Sequence, residues 1–189
     1  MDSSAIISRP LKTREGHEIT DNLLEVITLK ISRGYHPKLF SLDNEITNKL
    51  KTLLCLASID FQLVPPHCHR NAAKQSIQTW KAHFISFLCT VDPLFLMHLW
   101  CRLLTQVDLT LNHMRASNLH PQVSAFHALF DKFDFDRTPL ILPGTRAMIY
   151  EHERLIFGTK SLEGWYFRPT VDHYCCHDIY ARKKKHKNW

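Results

Sequence analysis

Two groupings of side chains in this chain have the types needed for metal or nucleophilic chemistry. One is His173, Cys175, Cys176 and His177; the other is His67, Cys68 and His69 in a turn that follows Pro65-Pro66. Thiolates and imidazoles bind zinc when the ligands come as spaced pairs, commonly C-x2-4-C, so that one turn aims two of them at one ion. Cys175 and Cys176 are adjacent, and neighbours on a strand point to opposite faces. His173, Cys175 and His177 would share a strand face, but no second pair has suitable spacing, so packing is the expected role of this group. No metal role is assigned to His67 and His69. A third feature is Asp43, which follows the apolar stretch Leu39–Leu42. Ends of strands carry ligand sites in α/β folds. The same Asp also suits the cap of a helix opening near Glu45.

Basic residues form two further patterns. Lys74, Gln78 and Lys81 fall at i, i+4 and i+7, opposite Ile77, Trp80 and Phe84, with Arg70 one turn earlier. This is a phosphate-facing stripe or the solvated side of an amphipathic helix. The last eight residues, RKKKHKNW, hold Arg182, Lys183, Lys184, Lys185 and Lys187 and no acid. The formal charge of +6 comes from 24 basic and 18 acidic residues, so removing the tail leaves 19 against 18. The basic balance is a tail property, suited to polyanions or nuclear import.

The elements that position these residues follow from periodicity. Ser4–Leu11 reads as a short strand, and 17–33 as a helix ended by Gly34. A strand at 38–42, a helix at 45–57, a strand at 59–64 and a helix at 72–88 alternate as in an α/β domain with parallel pairing. Ala73, Ile77, Trp80, Phe84 and Phe87 are expected inside. Residues 93–117 read as one long helix capped by Asp92, with Leu96, Leu99, Trp100, Leu103, Leu104, Val107, Leu111 and Met114 on its apolar face. A shorter helix follows at 122–130. Strands near 147–150, 164–167 and 173–180 suggest a small barrel or sheet. The domain reading is a core over 1–90, a helical extension over 91–140, a β region over 141–181 and the tail at 182–189.

The 189 residues suit one domain with a small appendage. The 44% hydrophobic and 22% charged content excludes a disordered chain. No apolar run is long enough to span a bilayer, and the N-terminus lacks a signal-peptide pattern. A nuclear or cytoplasmic, non-secreted protein without membrane partners is expected, with unpaired cysteines. No G-x-S-x-G or glycine-rich phosphate loop is present.

Three segments in fixed order resemble the integrase region of copia-type retrotransposon polyproteins, in particular lineages of algae and other microbial eukaryotes. They are Pro37–Glu45; Ile59–His67 leading into Asn71–Lys81; and Gly164-Trp165-Tyr166 with His173-Tyr174. The resemblance extends from about residue 4 to about residue 181. It implies a ribonuclease H-like core, which in the intact family holds two Mg2+ ions on two Asp and one Glu.

Asp43 matches the second Asp of that triad, a vestigial metal ligand here. The Glu position is Lys74, which cannot ligate Mg2+. Glu45 matches a different position. The chain begins near the family's third strand, so the first Asp, two strands and the zinc-binding domain are expected to be missing. The resemblance thus implies an incomplete ribonuclease H-like α/β core followed by helices and a small β-barrel-like region. It implies catalytic inactivity and no Mg2+ requirement for this chain.

What remains is weak, sequence-independent DNA binding through Arg70, Lys74, Gln78, Lys81, Arg182, Lys183, Lys184, Lys185 and Lys187. Trp165, Tyr166 and Tyr174 are base-stacking candidates if exposed, and fill the β region otherwise. An unpaired sheet edge would favour self-association. Two other readings stand beside this one: a decayed retroelement frame without function, and a domesticated protein-interaction module.

Overall fold

The computed structural model describes residues 3–42, 46–65, 71–150, 161–170 and 173–182. These residues form a mixed α/β structure with five α-helices, a 3-10 segment and two small sheets. The chain divides into two compact, discontinuous units, Met1–Lys81 with Leu111–Asp131, and Ala82–Thr110 with Lys132–Trp189.

In the first unit, helix α1 spans Gly16–Ser32. It opens with Glu18 in the first turn accepting from the amides of Lys12 and Thr13 at 2.9 and 2.8 Å. It closes as expected at Gly34, whose φ of 79° places it in the left-handed region, with Tyr35 N–H bonded to Lys30 O at 2.9 Å. Strand β1 (Leu39–Leu42), helix α2 (Asn48–Leu56) and strand β2 (Asp60–Leu63) form a βαβ unit with parallel strands. Leu39 pairs with Asp60 and Leu42 with Leu63. Helix α2 starts three residues later than expected because Thr47 is its cap, accepting from Leu50 N at 3.3 Å.

Ile27, Leu50, Leu54 and Ile59 are buried together, with Phe40, Leu42 and Phe61 packed on them. Burial of such aliphatic side chains contributes about 1.5–3 kcal/mol each. Both strands alternate between exposed and half-buried residues, so this parallel pair is covered on one face only.

Helix α3 (Asn71–Leu88) follows β2 and contributes residues to both units. The long helix expected over 93–117 is broken: Asp92 Oδ1 accepts from Leu94 N at 2.7 Å and caps a turn. A 3-10 segment occupies Met97–Leu103, and α4 runs only over Leu104–Met114. Leu103, Leu104, Val107 and Leu111 are buried as the periodicity predicts, whereas Trp100 and Met114 are exposed. Helix α5 (Ala125–Phe130) is capped by Ser124, which accepts from His127 N at 3.1 Å. The stretch 4–11, expected as a strand, joins no sheet ladder.

In the second unit, β3 (Arg146–Tyr150), β4 (Ser161–Thr170) and β5 (Cys176–Ala181) form an antiparallel sheet with β4 in the centre. It is an open sheet among the described residues, not the expected barrel. Strand β4 is buried on both faces. Trp165 and Phe167 pack with Phe95 and Leu103 on one side. Gly164 is required there, since a Cβ would lie 2.1 Å from the Tyr180 carbonyl oxygen. No described helix is long and apolar enough to cross a membrane.

Candidate nucleic-acid interface

Helix α3 carries the candidate basic stripe. Lys74, Gln78 and Lys81 are all exposed, and the helical rise spreads the two lysines over about 10 Å of its axis. Lys74 stands in the first turn of an 18-residue helix with no acidic residue there. The positive end of the helix dipole reinforces its charge, so this position attracts anions and repels a metal cation. It therefore does not fit a Mg2+ site.

The apolar side of α3 is less buried than expected. Phe87 is buried, Phe84 packs against Trp100 at a ring separation of 6.0 Å, and Trp80 is half-buried. Ile77 is 55% exposed, and Ala73 is exposed as well. The apolar phase of α3 thus meets a core chiefly in its C-terminal half.

Arg182 follows β5, its backbone N–H bonded to Glu163 O at 2.8 Å. That bond extends the β4–β5 pairing to the root of the basic tail. Asp43, Glu45, His67, Cys68, His69, Arg70 and Lys183, Lys184, Lys185 and Lys187 lie outside the described residues.

The aromatic candidates separate cleanly. Trp165 and Tyr166 are buried, and burial is the main cause that pushes the Tyr166 phenol up to about 12. The Ile141 backbone works against that rise and the Asp178 charge adds to it. Neither aromatic offers a face for base stacking. Tyr174 is 72% exposed.

The His173–His177 grouping does not share a strand face. Residues 173–175 form a turn in which Cys175 adopts φ 49°, and its N–H bonds to Arg137 O at 3.0 Å. Only Cys176 and His177 belong to β5. Among the described residues, no three His, Cys, Asp or Glu side chains converge as a metal-ligand set.

Two polar residues have roles that spacing does not announce. Asn112 is 2% exposed, with its amide bonded to Ile6 through both polar atoms. Arg115 bonds through Nε to Ser4 O at 3.2 Å. The one signal in the sequence is a polar residue at a buried helical phase, Asn112 beside Leu111. No protein-family model, curated protein or solved structure matches this chain.

Proposed function

We propose that this chain is a non-catalytic, retrotransposon integrase-like module that binds nucleic acid weakly and without sequence preference. The observation that carries this reading is Lys74: an exposed ammonium in the first turn of α3, at the position where the resemblance calls for the catalytic Glu. A two-metal mechanism needs carboxylates to bind both ions, and a lysine there opposes them. The same lysine favours a phosphate.

The order β1, α2, β2, α3, with parallel β1 and β2, supports the ribonuclease H-like core that the resemblance implies. The exposed Lys74, Gln78 and Lys81 stripe and the tail rooted at Arg182 support binding through charge. The experiment is a pair of assays on the purified chain. Duplex DNA should bind with an affinity that falls steeply with salt, and Mg2+ or Mn2+ should elicit no strand transfer or cleavage. Strand transfer that Asp43→Ala abolishes would overturn the non-catalytic assignment, and salt-insensitive binding would overturn the electrostatic one.

A second reading, self-association, rests on the β1–β2 pair. Among the described residues it has two strands, one covered face and an outward Leu39 that is 56% exposed. Open strand edges with apolar residues template pairing with another copy. Sedimentation velocity over a concentration series should show a reversible dimer. A concentration-independent monomer would exclude it.

A further inference from the structure

The first unit holds an open cavity of about 550 Å3, partly lined by the apolar Ala5, Ile6, Ala72 and Ala116. It is walled by Ser4, by Gln75, Ser76 and Thr79 of α3, and by Arg115 and Asn118. We propose that it binds a phosphorylated small molecule of sugar-phosphate or mononucleotide size. This inference is independent of the integrase-like reading.

Three observations carry it. First, the volume lies in the range of ordinary small-molecule sites. Second, Arg115 is the one charged group among the described lining residues, so the ligand charge that fits is negative. Its Nε is engaged with Ser4 O, and the rest of its guanidinium makes no hydrogen bond to a described residue. A guanidinium has five N–H donors in a planar fork, which matches phosphate oxygens in pairs.

Third, the hydroxyl of Ser4 is enclosed and has no hydrogen-bond partner among the described residues, while its backbone sits at φ 61°. A buried hydroxyl normally has a partner, and a non-glycine residue at positive φ is held there by its surroundings. The side chains of Gln75, Ser76, Thr79 and Asn118 make no hydrogen bonds with described residues. They supply uncommitted amides and hydroxyls that suit the hydroxyls of a ribose or hexose.

The test is isothermal titration of the full chain with AMP, ribose 5-phosphate and adenosine in a phosphate-free buffer. Both phosphorylated ligands are expected to bind, with adenosine at least about tenfold weaker than AMP. Similar affinities for AMP and ribose 5-phosphate identify a sugar-phosphate site; tighter AMP identifies a mononucleotide site. Gln75→Glu places a carboxylate on an exposed helical position of the wall, and should weaken AMP about tenfold or more without altering the fold. Arg115→Gln should do the same, with far-UV circular dichroism reporting whether the Ser4 contact was also structural. Adenosine binding as tightly as AMP, AMP affinity unchanged in Gln75→Glu, or no binding at millimolar ligand would each overturn the proposal.

Discussion

The side-chain amide of Asn112 and the backbone of Ile6 exchange two hydrogen bonds. Ile6 N–H donates to Oδ1 at 2.8 Å, and Nδ2 donates to Ile6 O at 2.7 Å. One amide side chain on α4 thereby replaces the pair of ladder bonds that a neighbouring strand would give. Asn112 is almost fully buried, so its amide depends on this exchange, while Ile6 is half-buried.

Replacing Asn112 by Leu should therefore be costly. It leaves the half-buried Ile6 N–H and C=O without these partners, and an unsatisfied group costs up to about 1–3 kcal/mol when buried. A loss of about 2–4 kcal/mol is expected in urea denaturation. Asn112→Asp should also destabilise, because it keeps the acceptor for Ile6 N–H but turns the donor facing Ile6 O into an oxygen. Limited proteolysis should cut residues 3–8 faster in both variants. Unchanged urea midpoints would show that the exchange contributes nothing to stability.

The same exchange marks where reading from sequence stops. Apolar spacing locates α1, α2, β1, β2 and α3: Leu50 and Leu54 are buried, and the half-buried Phe40 and Leu42 pack on them. It misjudges segments whose backbone partners are not periodic. Residues 4–11 read as a short strand, yet Ile6 bonds to Asn112 and Ser4 to Arg115. Residues 93–117 have helical spacing, yet the Asp92 turn and the 3-10 segment interrupt them. Cys175 at φ 49° delays β5 to Cys176, which no alternation count reveals. Gly34 and the stripe at Lys74, Gln78 and Lys81 are legible because cap glycines and i, i+4, i+7 faces are local. The Ser4–Arg115 cavity is not, because it joins residues 111 positions apart.

Gly164 allows β4 and β5 to approach. A Cβ there would lie 2.1 Å from the Tyr180 carbonyl oxygen, and the neighbour is backbone, which cannot swing away. Gly164→Ala should separate the pair around Trp165 and Tyr180, at a cost of about 2 kcal/mol or more. Near-ultraviolet circular dichroism should register it, because the Trp165 and Tyr180 rings stack at 6.3 Å. An unperturbed aromatic spectrum with an unchanged melting temperature would contradict the close approach.

Stability should fall in mild acid. Burial holds His83 below the ordinary imidazole range despite an opposing contribution from the Val107 backbone, and burial lowers His113 likewise. His83 Nε2 lies 3.0 Å from Thr110 Oγ1. Because the folded pKa is lowered, the unfolded chain binds protons more readily. The cost is absent above the unfolded value of about 6.5 and grows as pH falls from there toward the folded pKa. The urea midpoint should be lower at pH 5.5 than at pH 7.5, and the difference should shrink in His83→Gln and His113→Gln. A difference that both variants retain in full would assign the pH dependence to other groups.

The division of DNA affinity between the tail and α3 is measurable from salt slopes. Each phosphate neutralised on duplex DNA adds about 0.9 to the slope of log K against log salt. Removing residues 183–189 deletes Lys183, Lys184, Lys185 and Lys187 and spares the Arg182 N–H bond to Glu163 that ends the β4–β5 ladder. The slope should fall by about 2–4 and non-specific affinity should drop by about tenfold or more at low salt. Lys74→Ala with Lys81→Ala should lower it by no more than about 2, equally for unrelated DNA sequences. If the truncation left both slope and affinity unchanged while the double substitution reduced them, the tail would be excluded as the main contact and α3 would take that role.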